Sequence, residues 1–215
     1  IGDFTAMIGD PSGRSSTRPP LTHDEVMANA KTFTEQAFLV LDRAKTEVVF
    51  NGGWFSKMSF LEVIKLNARV TLNQMMQRED FKNRFGQGHE IRLHEIQYPI
   101  MQGWDSVEVR ADVEIGGSDQ LFNILVGRDL QKEEGQEPQV VMTLPLLEGL
   151  DGVKKMSKSL GNYAGLTAFQ LVSGFDNTQI DWERLEATTA VPEPSTALFG
   201  VLGLAVFLRR HRTAK

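Results

Sequence analysis

The sequence predicts an α/β fold in which helices cover the faces of a sheet of short strands. Three observations predict it. Short apolar runs, suited to strands, occur at residues 1–8, 48–50, 113–115 and 140–147. Between them, apolar residues recur at helical spacing, as in Val26, Ala30, Phe33, Ala37, Phe38 and Leu41. Glycine pairs punctuate the ends of runs at Asn51-Gly52-Gly53 and Gly116-Gly117. No internal repeat is visible.

In order, Ile1 to Ile8 reads as the end of a buried strand entering the turn Gly9-Asp10-Pro11-Ser12-Gly13-Arg14. After a polar stretch to Pro20, Thr22 and Glu25 form a capping box, and the helix they start ends near Lys45 or Thr46. Val48-Val49-Phe50 is a short strand. Ser59 and Glu62 form a second capping box, and Leu61, Ile64, Leu66 and Val70 carry that helix to about Met76. Residues 79–95 are polar, poorly periodic and read as a connecting insertion. A helix spans Ile96 to Val107. Val113 and Ile115 predict a strand stopping at Gly116-Gly117. Ser118 begins a helix running through Leu121, Leu125 and Leu130, and Val140 to Leu147 is the next strand.

Composition narrows the chemistry. With 215 residues, 41% of them hydrophobic, the chain can bury a core. The net charge of −5 makes any nucleic-acid contact local rather than spread over a basic face. The lack of cysteine excludes disulfides, a thiolate nucleophile and Cys-ligated metal centres. His23, His89, His94 and His211 show no zinc spacing, so no protein metal site is predicted.

Four groups of residues carry possible chemistry. Asp10 sits in a glycine-flanked turn after an apolar run, where a carboxylate can hold an ammonium group; the same residues also read as an ordinary turn. Tyr98, Gln102 and Asp105, at i, i+4 and i+7, share one helix face and can present a phenol, an amide and a carboxylate to one polar ligand; they equally suit a solvated face. In Gly116-Gly117-Ser118-Asp119-Gln120, Asp119 can accept ribose hydroxyls while Ser118 caps the helix and Asp119 favours its first turn. Lys154-Lys155-Met156-Ser157-Lys158-Ser159-Leu160-Gly161-Asn162 reads as a mobile loop whose lysines, compact point charges, can clamp a triphosphate.

These motifs carry a resemblance. Lys155-Met156-Ser157-Lys158-Ser159 is the KMSKS signature of class I aminoacyl-tRNA synthetases. With residues 1–14, the Tyr98/Gln102/Asp105 set and Gly116 to Gln120, residues 1–165 resemble the catalytic domain of bacterial tyrosyl-tRNA synthetases, with a connecting region near 79–115 and the loop at 154–162. Tryptophanyl-tRNA synthetases are the alternative relative. The resemblance implies an incomplete Rossmann-like nucleotide-binding fold and a tyrosine–tRNA ligase activity. ATP would be a substrate, with Mg²⁺ accompanying it. It places Asp10, Tyr98 and Gln102 on the α-ammonium group of tyrosine, Asp105 on its phenol and Gln120 near its carboxyl. Thr5, Gly117 and Asp119 would meet the adenylate. Lys155, Lys158 and Ser159 would act on the leaving pyrophosphate, with Lys158 also at the ATP. The partners implied are tyrosine, tRNA-Tyr and, through the connecting region, a second copy of the chain, in the cytoplasm. It also implies an earlier segment with a HIGH-type motif. Without that segment a sheet edge is left open, and the isolated chain is expected to fold poorly.

Residues 166–190 read as a polar linker, and 191–212 as a different design. Val191-Pro192-Glu193-Pro194, an apolar run and Arg209-Arg210-His211-Arg212 resemble a PEP-CTERM sorting tail. It implies an added apolar helix at 195–208, shorter than the roughly 17–25 residues that span a bilayer, and a membrane contact through it. A non-catalytic, membrane-tethered surface protein is the second functional expectation.

Overall fold

The computed structural model describes residues 1–8, 21–153, 155, 156, 162 and the backbone of 206–208. Asp10 with its turn, Lys158, Ser159 and the 166–190 linker lie outside the described residues.

The helices come first. They are α1 (Asp3–Ile8), α2 (His23–Ala37), α3 (Gly52–Phe55), α4 (Phe60–Asn67), α5 (Leu72–Met75), α6 (Glu79–Gly86) and α7 (Leu93–Val109). The strand β1 (Val113–Gly117) leads through a 3₁₀ turn, Ser118–Gln120, into α8 (Leu121–Glu133). Then β2 (Val140–Leu144) pairs with β1 in parallel, Val113 opposite Val140 and Gly117 opposite Leu144. A parallel pair needs a crossover, and α8 supplies it.

Both capping boxes form. Thr22 and Ser59 each accept the amide three residues on, and Glu25 and Glu62 reach back to them. The main core gathers Leu66, Met75, Ile100, Val107, Val126 and Leu130 between α4, α5, α7 and α8. A smaller cluster joins Ala6 of α1 to Val26 and Phe33 of α2. The crossing of α7 and α8 is close because it is made of glycines. A Cβ on Gly103 would lie 2.8 Å from the Gly127 amide nitrogen, and one on Gly127 would lie 2.4 Å from Ser106 Oγ.

Several sequence expectations change. The run at residues 1–8 holds a helix, Asp3–Ile8, rather than a strand, since a short apolar run fits either element. Asp3 in its first turn accepts the Gly52 amide at 2.7 Å. Val48–Phe50 forms no strand; instead, Ile1 N donates to Val49 O at 2.6 Å and Asn51 N to Ile1 O at 3.0 Å. The helix from Thr22 stops at Ala37, because Asp42 accepts the Ala44 amide at 2.9 Å and starts a separate 3₁₀ turn. The helix from Ser59 breaks before α5, where Thr71 accepts the Gln74 amide at 3.1 Å. The polar stretch 79–95 contains α6, tied to α7 by Arg84, which donates to the Glu95 carboxylate at 2.5 and 3.2 Å. Ser118 caps nothing and lies inside the 3₁₀ turn.

The tail requires the largest correction. Residues 206–208, inside the expected apolar helix, form a strand, β3 (Val206–Leu208), antiparallel to β1. Among the described residues no helix is long and apolar enough to cross a membrane. The reading of 191–212 as a PEP-CTERM tail with a membrane-contacting helix is therefore withdrawn, and with it the added helix in the predicted fold. Val and Phe favour extended backbone, and an unpaired strand edge recruits such a run.

Candidate functional site

The site is built along one side of α7. The spacing of Tyr98, Gln102 and Asp105 puts them on one helix face, and two polar groups form around the last two. Tyr98 itself is buried, at 5% exposure.

Asp105 is held by residues far away in sequence. Trp54 Nε1 donates to Asp105 Oδ1 at 3.0 Å, and Asn51 Nδ2 donates to Asp105 Oδ2 at 3.2 Å. Asn51 also donates to Thr5 Oγ1 at 3.2 Å and accepts the Phe4 amide at 2.9 Å. Thr5, Asn51 and Asp105 thus form one connected corner, where α1, the start of α3 and α7 meet. Burial pushes the Asp105 carboxyl up from its ordinary 3.8 to about 7. The hydrogen bonds from Asn51 and Trp54 pull against that rise, and the nearby Glu114 adds to it. The neighbouring Trp104 takes no part: its Nε1 donates to Glu108 at 2.9 Å.

The second group is an amide cluster leading to charge. Gln102 Nε2 donates to Gln120 Oε1 at 3.2 Å, and Asn123 Nδ2 donates to Gln102 Oε1 at 2.7 Å. Gln120 Nε2 donates to Asp119 Oδ2 at 3.3 Å, and Lys155 Nζ pairs with the same oxygen. Lys155 is brought there by a backbone bridge to Glu148 and by the Met156 amide donating to Leu147 O at 2.8 Å. Gly117 leaves room for this arrangement, since a Cβ there would lie 2.6 Å from Asp119 Oδ1 and 2.9 Å from Leu146.

The structure therefore gathers Gln102, Gln120, Asp119 and Lys155 into one chain of contacts, and Thr5 with Asp105 into another. Asn51, Trp54 and Asn123 belong to the site but were not singled out from the sequence. Asn123 was accessible to sequence reasoning, because it lies three residues after Gln120 at the start of a helix. In the sequence Asn51 marks only the break after Phe50, and nothing local marks Trp54. Among the described residues, no cluster of three or more His, Asp or Glu can hold a metal ion.

Comparison with known proteins identifies the family of the chain. Residues 1–171 match the family described as tRNA synthetases class I (W and Y). The tyrosine–tRNA ligase of Idiomarina loihiensis is 61% identical over 167 residues, covering 78% of this chain and 42% of that protein. That of Francisella tularensis subsp. tularensis is 59% identical over 166 residues, covering 77% and 42%. The chain thus spans less than half the length of these curated relatives. Among solved structures, the C-terminally truncated mitochondrial tyrosyl-tRNA synthetase of Coccidioides posadasii has a TM-score of 0.54 and 28% identity, covering 74% of this chain and 53% of that one. Tyrosyl-tRNA synthetase of Archaeoglobus fulgidus, complexed with L-tyrosine, has the same score and identity, covering 67% and 45%. On the family match, which takes in all of α1 to α8, β1 and β2, the chain belongs to the class I tRNA synthetases of the tryptophan and tyrosine group.

Proposed function

We propose that this chain is the tyrosine- and adenylate-binding part of a tyrosine–tRNA ligase. The observation that carries the reading is the Asp105 carboxyl, half-buried and oriented by Trp54 and Asn51 on the helix face that also bears Gln102. A carboxylate fixed in this way accepts a hydrogen bond from a phenol, and a site built around that bond rejects phenylalanine by roughly 10⁴–10⁵. Tyr98 and Gln102, with Asp10, hold the ammonium group of the substrate. Gln120 faces its carboxyl, and Gly117 and Asp119 line the adenylate, while Thr5 supports Asn51 behind Asp105.

In the reaction, the tyrosine carboxylate attacks the α-phosphorus of ATP and pyrophosphate leaves. A terminal hydroxyl at the 3′ end of tRNA-Tyr then takes the tyrosyl group from the adenylate, and AMP leaves. No covalent enzyme intermediate is needed; the work is orientation and charge stabilisation. Lys155 and Lys158, with Ser159 beside them, neutralise the leaving pyrophosphate. The Lys155–Asp119 pair gives this a starting state: the lysine exchanges a carboxylate for phosphate oxygens when ATP arrives. Mg²⁺ accompanies the ATP and shields its phosphates. The working protein is a cytoplasmic homodimer.

Calorimetric titration of the full chain with tyrosine, phenylalanine and tryptophan tests the reading, together with tyrosine-dependent ATP–pyrophosphate exchange. Tyrosine binding with phenylalanine rejected is the expected result. Preference for tryptophan would move the chain to the other branch of the family. Indifference among the three would refute an amino-acid site.

A further inference from the structure

Asn123 lies in the first turn of α8 with only 1% exposure, three residues after Gln120. A helix interior is a poor place for asparagine, and burying an amide is costly unless its polar atoms are paired. Only one end of this amide is paired. Asn123 Oδ1 has no hydrogen-bond partner among the described residues, whereas Nδ2 donates twice, to Gln102 Oε1 at 2.7 Å and to Gln120 Oε1 at 3.3 Å. What the residue contributes here is therefore its two N–H donors, one for each glutamine oxygen.

Those donors set a direction. A carboxamide can meet a ligand with its oxygen or with its NH₂ group, and the two suit opposite charges. At the exposed end of the row, the Asp119 carboxylate only accepts, so Gln120 turns Nε2 towards it and Oε1 inward. That hold is shared, because Lys155 takes the same Asp119 oxygen. At the buried end, Asn123 holds both glutamine oxygens inward, and Gln102 Nε2 adds a second donor to Gln120 Oε1 at 3.2 Å. Among the described residues the remaining capacity is then fixed. Gln120 Oε1 is saturated, Gln120 Nε2 keeps one hydrogen, and Gln102 keeps one hydrogen and one lone pair. A lone pair accepts from an ammonium, and the hydrogens donate to a carboxylate, which are the two halves of an α-amino-acid head group.

We propose that Asn123 is a positioning residue: without touching the substrate, it holds the Gln102 and Gln120 amides so that they offer N–H to the carboxylate and one oxygen lone pair to the ammonium of an α-amino acid. The proposal rests on the reading of this face as an amino-acid site. Without Asn123, each glutamine oxygen loses a donor in a place where only 9% of either residue is exposed to water. Each amide can then turn over to find another partner, and the head group meets mixed polarity. The phenol end of the substrate is unaffected, because Asp105 takes its donors from Asn51 and Trp54.

Binding titrations by NMR test it in the full chain and in Asn123→Leu, an apolar side chain of similar size. Two ligands are compared: tyrosine, and p-cresol, which is the tyrosine side chain without its head group. The expected result is that tyrosine affinity falls at least about tenfold while p-cresol affinity stays within about twofold. Asn123→Ser, which keeps one donor, should lose less for tyrosine and again spare p-cresol. If Asn123→Leu does not fold, as judged by circular dichroism, Asn123→Ser carries the same comparison. A parallel loss for both ligands would make Asn123 a packing residue and overturn the proposal, and so would unchanged tyrosine affinity. Either of those results, with tyrosine bound by the unaltered chain, overturns this proposal alone. Failure of the unaltered chain to bind tyrosine overturns the amino-acid reading and this proposal with it.

Discussion

Two carboxyl groups withdrawn from water to different degrees, Asp105 and Glu114, lie close enough in the fold for one to raise the other's pKa. Burial is the main cause of a raised pKa in both. Their surroundings differ. Asp105 stays partly exposed and receives donors from Asn51 and Trp54, more than fifty positions away. Glu114 has 0% exposure; Ser106 donates to it at 2.7 Å and Gln139 at 2.5 Å, on the same oxygen. Its other oxygen has no hydrogen-bond partner among the described residues. Gln131 extends that cluster, donating to Ser106 O and Ala111 O and accepting the Gln139 amide. The contrast shows that a displaced carboxyl pKa marks a site only where a ligand can reach the group. Without access, the same shift belongs to a structural clasp, here joining α7, β1 and the approach to β2.

The sharpest way to break this comparison is Glu114→Ala. It strands the Ser106 hydroxyl and the Gln139 amide in a sealed interior and should cost about 3 kcal/mol of stability in urea unfolding. A loss below about 1 kcal/mol would remove the clasp from the account. Asp105→Asn should do the reverse. Tyrosine affinity falls by about 10–100-fold, the value of a hydrogen bond to a charged group, with little loss of stability. Equal effects of the two variants on both readouts would erase the distinction.

The pH dependence adds a third test. A carboxyl whose folded pKa lies above its unfolded value contributes stability that is fully present below the unfolded pKa and is lost as pH rises. For Asp105 that window runs from 3.8 to about 7. Unfolding experiments across it should show stability falling with pH, with part of the slope missing in Asp105→Asn. Tyrosine affinity should rise over the upper part of the same window, as the acceptor ionises, and Glu114→Gln should leave that rise in place. Smaller effects follow. Trp54→Phe removes one donor to Asp105 and should weaken tyrosine about tenfold. Lys155→Ala breaks an exposed pair with Asp119 and should change stability by less than about 1 kcal/mol, while slowing adenylate formation as read by tyrosine-dependent ATP–pyrophosphate exchange.

Much of this was legible from the sequence, for physical reasons that can be named. The capping boxes at Thr22 and Ser59 are local signals, and both formed. The i, i+4, i+7 face of Tyr98, Gln102 and Asp105 needs only a helix, and α7 supplies it. The short apolar runs were not legible in the same way. Residues 1–8, 48–50 and 206–208 lack a period that separates helix from strand, so their fate depended on tertiary partners. Asp3 drew the first run into a helix end against Gly52, and the edge of β1 drew Val206–Leu208 into the sheet. The supporting residues of the site, Asn51 and Trp54, sit on a loop and a one-turn helix whose only notable local feature is two glycines. Their roles emerge only when the chain returns α3 to α7.

The glycine crossing of α7 and α8 has a consequence for redesign. Because Gly103 and Gly127 meet backbone to backbone, the spacing of the two helices has no adjustable part. Gly103 lies between Gln102 and Asp105 on the rod that carries the recognition face, while Asn123 lies one turn before Gly127 on the other. One added methyl at either glycine acts as a shim, moving one row of recognition groups relative to the other without touching any of them. Amino-acid selectivity in this fold can thus be tuned from a hidden fulcrum, where a search confined to residues lining the pocket would never look.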